Sequence, residues 1–448
     1  MSNSKLMKNL SAYFEGQFKE KRMNEPDFLQ KIRSEAFASF QKQGFPKSKD
    51  EQWRKTKLSA FTSKYFHPGL SGIYNAENVA NTCVVPQVDT YNVHILNGHF
   101  AGEKLEELPN GIVIGSLNTA IEQKPELVQK YFNKQAEESA NPLTQMNTAL
   151  FIDGIFLYVP ENVRDFKLQI TYRLDAKVDA VVPSRNLFVL EKNAQVDIIQ
   201  CDDSNVHRSH FATVVSETFL EENAEMNWYK YQNINNVSAL FSHHYFRLSD
   251  KAKLYTNFFE LNGKLLRNEQ SVDINGKDVS VDLFGLYLTD KAQQSDNVIF
   301  VSHASEGSYS NQKFKGILDD SAKAFFNGKI LVKKEAQQTQ AFQKNDNIIL
   351  TDKARISSQP FLEIYADDVS CSHGSTTGQI DEEALFYIRQ RGINKRDAQL
   401  LQLYAFTGEI IDSIKIPELI EPTKDLIKKR LNGELDACEE CILQCAVK

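Results

Sequence analysis

The chain has 448 residues, 41% of them hydrophobic and 25% charged, with a formal net charge of −7. That length exceeds one ordinary core and implies two or three folding units. The mildly acidic balance excludes a basic nucleic-acid face, and no apolar run reaches the roughly 18 residues that a membrane span needs. The best run, at 149–159, is broken by Asp153, and the N-terminus has no apolar core of signal-peptide length. The chain is therefore expected in the cytosol, with its six cysteines serving as thiols, metal ligands or redox groups and not as disulfides.

In chain order, residues 1–66 favour helix, and Leu6, Leu10, Tyr13 and Phe14 fall at helical spacing. Trp53 follows the turn at 44–50 and is read as a packing anchor. Residues 67–146 are mixed, with a strand pattern at 90–96 and a helix pattern at 126–132. From about 147 short β-branched and aromatic runs alternate with small polar turns. Their corners share one pattern: an apolar residue, three mostly polar residues, a small residue, then a new strand. The small slot holds Ala194, Ala224, Ala252, Asp278, Ala292, Ala322, Ala336 and Ala354, spaced 30, 28, 26, 14, 30, 14 and 18 apart. Spacings near 28 and near half of it suit a coil of stacked rungs with two similar corners each. A parallel β-helix is expected over roughly 150–375, with an antiparallel sandwich as the alternative. After Gly378 the pattern turns helical, with Asp381 as N-cap and a break at Gly392. These helices are expected to cover an open end of the solenoid. The expected units are thus a helical and mixed region at 1–146, a β-helix at 147–378 and a helical domain at 379–448.

Catalytic motifs are scarce. There is no phosphate-binding GxxxxGK[ST] or GxGxxG loop, no HExxH and no GxSxG. The pairs Asp202–Asp203 and Asp319–Asp320 could be solvated corners or the acid/base pairs of a carbohydrate-active enzyme. In DDVSCSHGST (367–376), Cys371 and His373 lie two apart, which on a strand puts both on one face. Thiolate beside imidazole suits a soft metal or an iron–sulfur cluster, but two ligands do not complete a site. A structural cysteine and a hydrogen-bonded histidine are the alternative. Cys438, Cys441 and Cys445 share one face if helical, yet have no nearby histidine to complete a set. His67, His94, His99, His207, His210, His243, His244 and His303 read mostly as surface or core histidines.

Four segments then carry a resemblance. PKSKDEQWRKTKL (46–58), NTALFIDGIFLYVPENV (147–163), residues 310–354 and LEIYADDVSCSHGSTTGQIDEEALFYIRQRGI (362–393) resemble the SufB/SufD family of iron–sulfur cluster assembly scaffolds. CSHGST is closer to the SufD branch than to the SufB branch. The resemblance implies a right-handed parallel β-helix flanked by helical N- and C-terminal parts, and a non-catalytic role. It implies pairing with a SufB-like paralogue, docking of a SufC ABC-type ATPase on the C-terminal helices, and sulfur from a cysteine desulfurase system. Self-pairing in isolation is a further expectation, and flavin binding by the complex is left open. His373 falls on a family histidine placed at the SufB–SufD interface as a candidate ligand of the nascent cluster, shared with SufB. Cys371 falls on the neighbouring cysteine. Phe386, Ile388, Ile393, Leu400 and Leu403 are the candidate ATPase contacts. Ser375 stands where the family more often has alanine, and the cysteine-rich tail lies outside the family motif. A purely structural subunit and a carbohydrate-active β-helix enzyme are the competing readings.

Overall fold

A computed structural model describes residues 4–70, 88–102, 104–137, 139–204 and 206–434. Its centre is the expected parallel β-helix. Two ten-stranded sheets face each other, and successive strands of the coil fall alternately in one sheet and the other. From Phe166 to Gly378 the strand pairing is parallel and nearly continuous in register. Among the described residues antiparallel pairs occur only at the N-terminal end, where His99–Ala101 joins Tyr91–Leu96 and Val113–Ser116 joins both Leu105–Glu107 and Ile155–Val159.

The coil is held in step by one of its two corners. Asn162, Asn193, Asn223, Lys251, Asp278, Gly307 and Gln338 all adopt left-handed backbone, with φ between 50° and 74°. Each donates its backbone N–H to a carbonyl of the next rung: Asn162 to Lys192, Asn193 to Glu222, Asn223 to Asp250, Lys251 to Lys277, Asp278 to Glu306, Gly307 to Gln337 and Gln338 to Asp368. Asparagine and aspartate tolerate this conformation best after glycine. Asn223 Nδ2 also donates to Asn193 Oδ1, and Asn193 Nδ2 to Asn162 Oδ1, both at 2.8 Å. Ala194, Ala224, Ala252 and Ala336 belong to this corner, and Ala322 and Ala354 to the opposite one; all six are fully buried. Two slots read from the sequence are off by one residue. Asp278 and Ala292 are exposed, and the inward positions are taken by Val279 and Gln293. Asp278 is itself the left-handed residue of its corner, and at the opposite corner the inward slot lies two positions after the left-handed residue, as with Gln293 after Lys291 and Ala322 after Asp320.

The helices cover the flat faces of the coil, which corrects the expectation that the C-terminal ones close an end. Lys5–Tyr13, Asp27–Gln43 and Pro142–Leu150, with Trp53, pack on one sheet against Val181, Phe211, Phe241 and Leu265. Trp53 is the anchor expected, with the Arg267 guanidinium 3.8 Å from its ring centroid. On the other sheet, Lys395–Ile411 and Pro417–Asn432 bury Leu403, Ile410, Leu419 and Ile427 against Tyr229, Tyr255, Phe259 and Leu286. Those strand residues point away from the lumen and are aromatic or aliphatic, so water must be kept from them. Polar clamps fix the seat: Arg430 donates twice to Asp290 at 2.8 Å, and Tyr231 Oη lies 2.7 Å from Thr423 Oγ1. Hydrogen bonds from Lys313 and Lys315 hold the Glu409 carboxyl down to about 2.

Between the sheets the lumen is apolar at most levels but carries a polar spine. Lys230 pairs with Asp202 at 3.4 Å and donates to Ser242 at 2.7 Å. Glu260 accepts from Ser295 Oγ at 2.6 Å and from Asn297 Nδ2 at 2.7 Å. Burial pushes the Glu260 carboxyl up to about 7.

Two predictions follow from this packing. A chain ending at Gly378 uncovers Tyr229, Tyr255 and Phe259 and is expected to aggregate or lose its cooperative melt; a monomeric truncation with a wild-type melting temperature would contradict this. Because the folded-state pKa of Glu260 is raised, its ionisation opposes folding increasingly as pH climbs from about 4.5 through 7. Glu260→Gln keeps an acceptor for Ser295, and Asn297, whose Oδ1 is unpaired, can turn its amide to accept from the new Nε2. The variant should match wild type near pH 5 and exceed it by on the order of 2 kcal/mol at pH 8 in denaturant melts. A gain independent of pH would contradict the assignment.

Candidate ligand rim at the open end of the solenoid

The coil stops on two bare edges. Val369–Gly378 closes one sheet and Arg355–Ile364 the other, and each pairs with a strand on one side only. DDVSCSHGST therefore does not sit at a corner as a whole. Asp367 and Asp368 are in the corner, whereas Cys371 and His373 lie within the last strand. The register pairs Ala341 with Cys371, Gln343 with His373, Asn345 with Ser375 and Asn347 with Thr377. Ala341, Gln343, Asn345 and Asn347 are buried and line the lumen. Parallel partners share a face, so Cys371, His373, Ser375 and Thr377 stand on the lumen side of the rim. The same-face expectation for Cys371 and His373 follows from that register.

Among the described residues no further strand covers them. His373 is exposed and Cys371 half-buried, and burial pushes the Cys371 thiol up, away from the thiolate that binds metal. Ser375 Oγ donates to Ser358 Oγ at 2.8 Å and ties the two bare strands together beside the histidine. A Cβ built on Gly374 or Gly378, on the outward face of this strand, would meet nothing within 4 Å, so that face is open as well. Phe361, Ile364 and Tyr365 are 53%, 39% and 60% exposed on and just after the companion strand. An unpaired edge flanked by exposed apolar side chains is a surface built to be covered. Among the described residues no three His, Cys, Asp or Glu side chains gather into a metal-binding group, so the rim offers a partial ligand set at most.

The other sequence candidates sort differently. Asp202 and Asp203 are buried in a strand and not at a solvated corner, and Asp202 faces Lys230; Asp319 and Asp320 are at an exposed corner. Neither pair lines an open groove. His243 and His244 point to opposite faces, as expected. His243 lies 3.0 Å from Ser271 Oγ outside the lumen, while His244 lies 3.3 Å from Lys230 Nζ inside it. Burial holds His243 and His303 down to about 4, and both are neutral core groups. Cys438, Cys441 and Cys445 lie outside the described residues.

The five C-terminal apolar residues divide between surface and core. Phe386 is 64% exposed; Ile388, Ile393 and Leu400 are half-buried; Leu403 is 4% exposed and packed against the solenoid sheet. Leu403 therefore presents no side-chain surface to a partner. Sequence reasoning missed Tyr387 and Leu401, which are 60% and 47% exposed. Both lie beside candidate contacts, Tyr387 between Phe386 and Ile388 and Leu401 next to Leu400, and only the structure shows them exposed. It also missed the lumenal Lys230 and Glu260, because polar residues on strands normally face outward.

Residues 172–406 match the family described as the SufBD core domain of the SUF system for FeS cluster assembly, and residues 4–170 match the SufBD protein N-terminal region. An iron–sulfur cluster assembly SufBD family protein of Synechocystis sp. is 29% identical over 410 residues, covering 88% of this chain and 87% of the relative. The iron–sulfur cluster assembly protein SufD of Escherichia coli is 33% identical over 244 residues, 54% of this chain and 58% of that protein. SufD of Bacillus subtilis is 25% identical over 329 residues, 72% and 74% of the two chains. With both regions matched along a β-solenoid flanked by helices, the chain belongs to the SufB/SufD family of iron–sulfur cluster assembly proteins, on its SufD branch.

Proposed function

We propose that this chain is a non-catalytic scaffold subunit that pairs through its open solenoid end with a SufB-like paralogue and contributes His373 to a nascent iron–sulfur cluster. The observation that carries the reading is one exposed imidazole on the lumen side of an unpaired strand edge. The cluster is cargo, built from iron and from sulfur supplied by a cysteine desulfurase system. Neutral imidazole is a competent iron ligand, and a partial set on this chain leaves the remaining ligands to the partner. A site completed only across an interface also permits release. Cys371, with its thiol pushed up by burial, takes the secondary role. In isolation the same bare edges suit pairing with a second copy of this chain. Among the described residues no helix is long and apolar enough to cross a membrane, and the proposed setting is the cytosol. Flavin has no residue here assigned to it.

The proposed seat of the SufC-like ATPase is the exposed side of the C-terminal helices, at Phe386, Tyr387 and Leu401 with the half-buried Ile388, Ile393 and Leu400. Large apolar side chains left exposed on a helix are common interface anchors. Phe386→Ser with Tyr387→Ser should lower ATPase co-purification at least tenfold without moving the melting temperature. Leu403→Ser should instead destabilise the chain by about 2–4 kcal/mol, as for a core truncation. Undiminished ATPase capture by the double variant would remove this surface from the proposal.

The test of the ligand is His373→Ala in the complex co-expressed with its partners. Because the side chain is exposed, stability should change by no more than about 0.5 kcal/mol. Iron and acid-labile sulfide per intact complex should fall sharply, with Cys371→Ser milder. Normal cluster content in an intact complex would favour the purely structural reading.

A further inference from the structure

Behind the rim lies a buried acceptor with no partner. Gln343 is 3% exposed and belongs to the strand Thr339–Ile349, the last one inside the coil. Its Nε2 donates to Gln312 Oε1 at 2.6 Å. Its Oε1 is buried and accepts nothing. The facing strand makes room for this amide: a Cβ on Gly328 would lie 2.0 Å from Gln343 Nε2. An unpaired buried carbonyl is costly, and Gly328 leaves the room in which this amide sits.

The register names the group that can reach it. Gln343 pairs with His373, on the same lumen face of the adjacent strand. Neighbouring strands are about 4.8 Å apart, so rotation about the histidine side-chain bonds brings a ring N–H to the amide oxygen. A histidine that binds metal through one nitrogen usually donates the other N–H to a carboxylate, carbonyl or water, which fixes tautomer and ring plane. A neutral amide does this without adding charge to a site that must later release its cargo.

We propose that Gln343 is the positioning residue for His373: its Oε1 accepts one ring N–H and turns the other nitrogen out of the solenoid mouth toward the shared cluster. This rests on the reading of His373 as a ligand. Gln312 holds the amide of Gln343 without facing the histidine, so its loss should loosen the contact in the same direction as loss of Gln343, but less.

The test has two readouts. The first is long-range 1H–15N correlation on the isolated chain carrying 15N-histidine, with the His373 signals assigned by their loss in His373→Ala. Wild type should show one dominant tautomer. Gln343→Leu should give the averaged tautomers of a free imidazole, and Gln343→Asn, which withdraws the oxygen by one methylene, should do the same if the leucine variant is insoluble. Gln312→Leu, which frees the Gln343 amide, should move the pattern part of the way toward averaging. The second readout is iron and acid-labile sulfide in the complex purified with its partners. Both should drop about tenfold for the Gln343 variants, the range expected for loss of an outer hydrogen bond to a metal-binding histidine, and by less for Gln312→Leu. An unchanged tautomer, or unchanged iron, in a folded Gln343 variant overturns the positioning role. If His373→Ala abolishes iron while the Gln343 variants retain it, only the positioning role fails. If His373→Ala retains iron, the ligand reading fails, and the tautomer measurement still decides whether Gln343 holds the ring.

Discussion

The constraint on which everything else depends is the stacked left-handed corner. Seven residues from Asn162 to Gln338 take positive φ, and each passes its backbone N–H to the following rung. A fixed corner fixes the length of chain per turn. A fixed length keeps the strands in register, and register decides which side chains enter the lumen. One residue of slip would send Trp228, Phe258 and Phe246 outward and bring Tyr229, Phe259 and Tyr245 inward. Asparagine serves the corner twice, through its tolerance of left-handed backbone and through a side-chain amide that bonds to the next asparagine.

A coil built this way has two broad faces and two ends, and the chain treats them differently. Both faces carry apolar residues outward and are sealed by helices from the termini. The N-terminal end is finished by short antiparallel strands. The C-terminal end is left with two unpaired edges and exposed Phe361, Ile364 and Tyr365. The bare end is thus one of two exposed apolar surfaces among the described residues, the other being the Phe386 and Tyr387 side of the C-terminal helices, and it is where His373 stands. The buried ion pairs Arg185–Glu217 at 2.7 Å and Arg267–Glu269 at 2.6 Å stiffen the opposite part of the coil, beneath the N-terminal helices.

Much of the fold was legible because a solenoid repeats itself. Fully buried alanines one residue after a left-handed corner recur at Ala194, Ala224 and Ala252, and spacing alone finds them. The reading slipped where composition misled it. At Asp278 the corner residue itself was taken for the inward slot, and the true slot, Val279, is not small. The helical stripes were visible, but a stripe does not say what it packs against, so Leu403 was grouped with Phe386 although one is core and the other surface. The lumenal Lys230 and Glu260 were beyond sequence reasoning because their partners lie on other rungs: Asp202 for the lysine, Ser295 and Asn297 for the glutamate. The Cys371–His373 pair was legible as a same-face pair, but the open space before it depends on where stacking stops, which no local motif encodes.

The central claim is that the unpaired edges at 355–364 and 369–378 are the surface through which this chain meets its partner, and that the candidate ligand lies inside that contact. Hydrogen–deuterium exchange measures this directly, since outward backbone N–H groups of a bare edge exchange fast and those of a paired edge do not. The account predicts that peptides spanning Arg355–Ile364 and Val369–Gly378 exchange rapidly in the monomeric chain and become strongly protected in the complex, while the central rungs are slow in both. Unchanged rapid exchange at these two strands in a complex that is protected elsewhere would contradict it.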